Sequence, residues 1–272
     1  MGWAPARSTL QPAQVLAAGG WRNLHSPDRP SKALIEFRIT RGREGPSRLL
    51  GDWSGTIIAD GCSGYDEVVR MNGIRRAGYW SHARRKLKEA LDTGSTSAAG
   101  ALALVQKLFQ VERPINERVQ AGEINREEQL KLRRAARTSS SAGVVDAIYA
   151  EVDRLWSLRS TLPKSKLGKA LGYLQSQRGP LAVFLDDARI PIHNNDSERD
   201  LRHLAVGRKN WLVFGSQLGG EVACRLYSLM LSCKQCGANP EVYLEDALGL
   251  VATTPASQIA TLTPWAWQAA RQ

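Results

Sequence analysis

Apolar residues in this chain gather in two ways that restrict how it can fold: a few short strand-like runs, and longer stretches in helical register. Lys32–Thr40 (KALIEFRIT) alternates well enough at Leu34, Ile35, Phe37 and Ile39 for a strand. Thr56-Ile57-Ile58-Ala59 is a short β-branched run of the kind that forms a buried strand, and it stops at Asp60-Gly61. Ala77–Trp80 is a second short strand candidate, and Trp211–Gly215 is short and extended. Ser63–Asn72 reads as a helix or turn. Ser81 is placed to cap a helix through HARRKLKEALDTG, which Gly94 closes. Leu102, Val105, Leu108 and Phe109 step at helical intervals, as do Val144, Val145, Ile148, Val152, Leu155 and Trp156. Lys164–Gln177, Glu221–Cys236 and Pro240–Leu250 are further predicted helices. Residues 1–24, rich in Ala, Gly and Pro, give no clean period.

The chain has 272 residues, enough for one or two domains, and 43% of them are apolar, enough for a core. No apolar run approaches the ~18 residues of a membrane span; Leu181–Leu185 is far too short. The N-terminus lacks the pattern of a signal peptide, so a cytoplasmic protein is expected, with its thiols reduced. Cys233-Lys-Gln-Cys236 has metal-ligand spacing, but no second pair completes a zinc site, and the plain reading is two small residues one helical turn apart.

The net charge is +11, and it is unevenly spread. Residues 70–138 carry net +8 and residues 154–211 net +6, while 1–69 are close to neutral and 139–153 and 212–272 are net acidic. A polyanion partner would draw on the two basic blocks. A single basic run, taken alone, is more simply a solvated helix face.

Two acids stand in unusual contexts. Asp60 ends an apolar strand and precedes a glycine, which puts a carboxylate at the rim of a sheet. Glu198 falls in the first turn of a predicted helix, among Asn194, Asn195, Arg199 and Arg202. Hard divalent cations take such oxygen ligands, and phosphoryl transfer commonly uses two of these ions. The competing readings are a turn former at Asp60 and a helix N-terminal acid at Glu198.

The stretch ADGCSGYDEV…GYWSHARRKLKEA and the stretch IPIHNNDSERDLRHLAVGRKNWLVFGSQLGGEVACRLYSLMLSCKQCGANPEVYLEDAL resemble the insertion sequence 66 transposases, the second reaching into their C-terminal element. The similarity runs from about Leu34 to Leu250. The resemblance implies an α/β fold, a ribonuclease-H-like mixed sheet with helices on both faces and a helical insertion. It also implies an Asp-Asp-Glu triad working with Mg2+ or Mn2+. Asp60 falls on the second Asp and Glu198 on the Glu. The family's first Asp lies on its first strand, whereas the corresponding segment here, Thr9–Leu16, holds no acid; Asp28, between Pro27 and Pro30, is the first Asp in the chain.

The expected organisation is a degraded or loosely ordered N-terminus at 1–30 and a first part of the core at 31–94. A helical insertion follows at 95–165, then the second part of the core with the Glu-bearing helix at 166–225. A C-terminal helical element and tail occupy 226–272. Arg84, Arg85, Lys86, Arg199, Arg202, Arg208 and Lys209 are the candidate DNA contacts, since Arg forks onto phosphate oxygens and Lys supplies a point charge. Asn194 and Asn195 are candidate helix caps. His82, His193, His203 and Trp211 read as packing residues at least as well as functional ones. The expected partners are the element's ends and target DNA, with a homo-oligomer on DNA and association with the bacterial nucleoid. The resulting expectation is a DNA transposase in a truncated, inactive copy; the alternative is a DNA-binding remnant without catalysis.

Overall fold

The computed structural model describes residues 14–19, 33–38, 46–47, 50–59, 61, 63–193 and 216–271. Two compact units divide the chain, one of Leu50–Asn194 and one of Met1–Leu49 with Asn195–Gln272.

The unit Leu50–Asn194 begins with β3 (Thr56–Ile58), a 3-10 turn (Ser63–Tyr65), α1 (Asp66–Met71) and β4 (Arg75–Ala77). β3 and β4 pair in parallel with Thr56 opposite Arg75 and Ile58 opposite Ala77. Six helices follow: α2 (Trp80–Asp92), α3 (Ala98–Gln120), α4 (Arg126–Ala136), α5 (Ala142–Trp156), α6 (Lys166–Ser176) and α7 (Arg178–Asp186). Between α4 and α5 the chain makes one π-helical turn, Arg137–Ser141. The apolar stripes read from the sequence are what these helices bury. Leu102, Val105 and Leu108 of α3 meet Val145, Ile148, Val152 and Leu155 of α5 in one core with Leu87, Leu171 and Leu174. Trp80 is wholly buried there; its indole N–H donates to the Leu181 carbonyl at 3.1 Å and its ring meets Phe184 edge-on.

The other unit holds β1 (Gln14–Gly19) and β2 (Ala33–Arg38), antiparallel, with α8 (Gln217–Gln235) lying against β2. α9 (Pro240–Val251), a 3-10 stretch (Ala256–Leu262) and α10 (Pro264–Ala269) close on α8. Cys233 and Tyr243 are buried there against Trp267, with the Tyr243 and Trp267 rings edge-to-face at 5.6 Å. The Trp267 indole N–H donates to Asp246 at 3.1 Å, and Arg271 pairs with the same carboxylate while lying over the Trp267 ring.

The fold expectation needs correction. The described residues form two separate two-stranded sheets and are otherwise mainly helical; they do not form a mixed sheet with helices on both faces. The cause lies in how few residues pair. β3 and β4 are three residues long, so their ladder offers little edge on which further strands could build. KALIEFRIT finds its partner in residues 14–19, a stretch without a clean period, and among the described residues the two pair only with each other. The apolar run Leu181–Leu185 belongs to α7, where Leu181 and Phe184 bury one helical turn apart. A short run apolar on every side carries no period that separates strand from helix.

The predicted start of α2 also shifts. The strand is Arg75–Ala77, the extended residue before the helix is Tyr79, and no side chain caps the helix. A backbone carbonyl from elsewhere serves instead: the Trp80 N–H donates to Ile192 O at 2.8 Å. Ser81 falls inside the helix, one residue after its start at Trp80, and so cannot cap it.

Candidate functional site

Asp60 itself lies outside the described residues, but the chain on both sides of it is described. Ala59 continues the β3 ladder by one bond, its N–H donating to Ala77 O at 3.0 Å. Gly61 lies so close to α6 that a Cβ there would come within 3.0 Å of the Gln177 side chain and 3.3 Å of the Tyr173 ring. A side chain after the acid would therefore have to displace the Gln177 side chain by a few tenths of an ångström. The Arg76 guanidinium donates to Asp66 at 2.7 Å and reaches Gln177 at 3.4 Å.

The three cations of α2 divide between two neighbours. Arg84 lies over the Phe109 ring of α3 at 5.8 Å, and the Lys86 ammonium lies over the Tyr173 ring of α6 at 5.1 Å. Arg85 is exposed between them. Among the described residues no carboxylate lies within ion-pair distance of any of the three. This contrasts with Arg75, Arg113, Arg154 and Arg271, each paired with an acid. His82 packs between Tyr79 and Tyr173, with ring centroids 4.9 Å and 6.4 Å away.

Glu198, Asn194, Asn195, Arg199, Arg202, Arg208 and Lys209 fall outside the described residues, as do His203, Trp211, Asp28 and most of Thr9–Leu16. What is described is the approach to that string, Asp187–His193, and it is heavily tethered. Arg189 lays its guanidinium across both oxygens of Asp187, Nε to Oδ1 at 2.9 Å and Nη2 to Oδ2 at 2.7 Å. Ile192 O accepts from Trp80 N–H, and His193 follows half-buried, with its Nδ1 shielded from solvent and without a hydrogen-bond partner among the described residues.

The strongest tether comes from residues that sequence reasoning passed over. Arg137, in the π-helical turn, is fully buried. Its Nη1 donates to Phe184 O at 2.6 Å and Asp187 O at 2.9 Å, and its Nη2 to Ile190 O at 2.9 Å. Glu112 of α3, 1% exposed, accepts from Arg137 Nε at 2.6 Å and pairs with Arg133 at 3.3 Å. Nothing in the sequence marks Glu112 or Arg137: they sit 25 positions apart in a charge-rich block where most charges are solvated.

Metal chemistry can be tested on donor type. Asp60 and Glu198 are hard oxygen donors of the sort Mg2+ or Mn2+ takes. The described residues contain no group of three His, Cys, Asp or Glu able to hold a metal. Cys233 is buried, which pushes its thiol up to about 11, and the Cys236 thiol donates to the Cys233 carbonyl at 3.3 Å. That is the packing of a helix end and fits the plain reading of the Cys-x-x-Cys spacing. No described helix is long and apolar enough to cross a membrane.

Comparison with known proteins supplies the context for these residues. The family described as Transposase IS66 family matches residues 13–222, and the IS66 C-terminal element matches residues 228–265. The uncharacterized protein y4jD of Sinorhizobium fredii (strain NBRC 101917 / NGR234) is 31% identical over 267 residues, covering 94% of this chain and 49% of that protein. The uncharacterized protein y4qI of the same organism is 29% identical over 275 residues, covering 94% of this chain and 48% of that protein. The chain thus spans about half the length of these curated relatives. No solved structure matches. With the two matches together reaching from residue 13 to residue 265, the chain belongs to the IS66 transposase family.

Proposed function

We propose that this chain is a transposase of an insertion element that engages DNA but does not by itself cleave it. The family match over 13–222 carries this reading, because it spans both Asp60 and Glu198 and every candidate phosphate contact. Asp60 and Glu198 are the carboxylates that would hold Mg2+ or Mn2+. Such an ion, when bound, polarises a phosphodiester oxygen. Arg84, Arg85 and Lys86, without carboxylate partners among the described residues, would offer their charge to phosphate oxygens. Arg199, Arg202, Arg208 and Lys209, close to Glu198 in sequence, would offer the same charge, and Asn194 and Asn195 would serve as caps for the helix that the sequence predicts there. Contacts of this kind fix position on DNA without reading its sequence. A homo-oligomer on DNA would bring two element ends together.

Inactivity follows from ligand count. Two ions need several anionic oxygens, and Thr9–Leu16, the stretch that the resemblance sets against the family's first acid, supplies none. The test is incubation of DNA carrying the element's ends with the chain and Mg2+ or Mn2+. The expected result is retention of DNA on the protein with no nicking. Nicking that disappears in Glu198→Gln would overturn the inactive reading and establish a working site; a further loss in Asp28→Asn would identify the third carboxylate. No retention of DNA at low salt would overturn DNA engagement.

A further inference from the structure

We propose that Tyr173 of α6 is a positioning residue for Lys86 of α2, its ring holding the Lys86 ammonium where it meets a phosphate of a DNA strand. The inference rests on the reading that this chain engages DNA. α2 and α6 pack side by side, and three side-chain contacts mark the seam between them. The His82 and Tyr173 rings lie 6.4 Å apart, the Lys86 ammonium lies 5.1 Å from the centre of the same Tyr173 ring, and Lys166 pairs with Glu89 at 3.9 Å. The two helices run antiparallel, so His82 and Lys86, one turn apart on α2, share a single ring of α6. That ring also meets the chain beside Asp60. A Cβ at Gly61 would come within 3.3 Å of Tyr173 Cε2, and Gly61 is exposed and directly follows Asp60 in sequence. Arg84 has no such link; it lies over Phe109 of α3.

A ring holds a cation differently from a carboxylate. Its quadrupole orients the ammonium but carries no net charge, so the full positive charge stays available to an anion. The neighbouring cations of the seam are spent on acids: Arg76, beside Gln177 at the end of α6, donates to Asp66 at 2.7 Å, and Lys166 pairs with Glu89. Lys86, between them, has no carboxylate within ion-pair distance among the described residues. Lysine has a long flexible stem, and fixing it on a ligand costs rotamer entropy. Lys86 is half-buried and already rests on a half-buried ring, so part of that ordering precedes binding. A lysine stem can also cover a ring for packing alone. That simpler role predicts a loss of stability on removing the ring, and no dependence of DNA binding on Tyr173 that runs through Lys86.

The test uses the full chain with Tyr173→Met, Tyr173→Phe and Lys86→Gln, and with Tyr173→Met placed in Lys86→Gln and in Arg84→Gln backgrounds. Affinity for one DNA duplex is measured by fluorescence anisotropy at several salt concentrations, with thermal unfolding alongside. Lys86→Gln should make the slope of log affinity against log salt shallower by about 0.9. Tyr173→Met should weaken binding about two- to fivefold at fixed salt, and Tyr173→Phe, which keeps the ring, should bind like the parent. The coupling decides between the two roles. Tyr173→Met should weaken binding in the Arg84→Gln background as it does in the parent, and should do nothing further in the Lys86→Gln background. Equal weakening in all three backgrounds is the result of a merely structural Tyr173 and overturns the proposal. Unchanged affinity and slope in Lys86→Gln overturns it too, as does a loss in Tyr173→Phe as large as that in Tyr173→Met. If Tyr173→Met fails to fold, Lys86→Gln and Tyr173→Phe decide by the same criteria. A parent chain that binds no DNA defeats the reading of DNA engagement and this proposal together, whereas a parent that binds DNA without the coupling defeats this proposal alone.

Discussion

Asp187 shows how a single charge records its surroundings. The side-chain hydrogen bonds from Arg189 hold its carboxyl below the usual carboxylate range. The Arg189 backbone N–H and the nearby charge of Arg137 act in the same direction, while partial burial opposes them. A carboxyl depressed in the folded state stabilises the fold fully above its unfolded value of about 4, and the stabilisation is lost as pH falls through the folded value. Asp187→Asn should therefore destabilise the protein at pH 7 and have little effect near pH 2. Urea unfolding at the two pH values measures this, and an equal effect at both would contradict it. Legibility at this scale was divided. Asp60 stood out because it interrupts an apolar run, and the α2 cations because they cluster. Glu112 and Arg137 did not, since burial of a charge is decided by neighbours distant in sequence, and Phe184 O and Ile190 O are invisible in a list of side chains.

Among the elements, α6 illustrates how one residue type takes opposite roles ten ångströms or less along a helix, whose rise is about 1.5 Å per residue. Ser165 caps it, accepting from Gly168 N–H at 3.0 Å. A Cβ at Gly168 would come within 2.2 Å of the Leu162 carbonyl oxygen and 2.8 Å of the Pro163 one. Both are backbone atoms that cannot swing aside. A Cβ at Gly172, one turn on, would meet nothing within 4 Å. Gly168→Ala should cost about 1–3 kcal/mol through displaced backbone. Gly172→Ala should gain about 0.5–1 kcal/mol by removing conformational freedom from the unfolded chain. Denaturant midpoints for the two variants should move in opposite directions. The helices were readable because 3.6-residue spacing survives over several turns, as at Val145, Ile148, Val152 and Leu155. Pairing of β3 with β4 was not, because three-residue strands carry too little pattern to specify a partner. Ser81 does not cap α2 because the helix begins one residue earlier, at Trp80, whose N–H a carbonyl from residue 192 serves.

For the molecule as a whole, the long ordered strings around Asp60 and Glu198 carried the family, while the sheet architecture inferred from that resemblance did not survive: among the described residues, what pairs is two strands at a time. Charge is the whole-molecule property with the most direct consequence. Many basic residues are already paired, including Arg75, Arg113, Arg118, Arg154 and Arg271, and a paired guanidinium has less to offer a phosphate. The net charge of +11 is therefore a poor count of DNA contacts. The proposed contacts, Arg84, Arg85 and Lys86 with Arg199, Arg202, Arg208 and Lys209, are a better one. If each releases one counterion, log affinity should fall against log salt with a slope of about −6, and affinity should drop by about 10³–10⁴ between 50 and 200 mM salt. Arg84→Gln with Arg85→Gln should make that slope shallower by about 2, whatever DNA sequence is used, since phosphate contacts do not distinguish bases. Fluorescence anisotropy over a salt series reads the slope directly. A slope near zero in the parent would remove the electrostatic mode, and a slope unchanged in the double variant would move the contact surface away from α2.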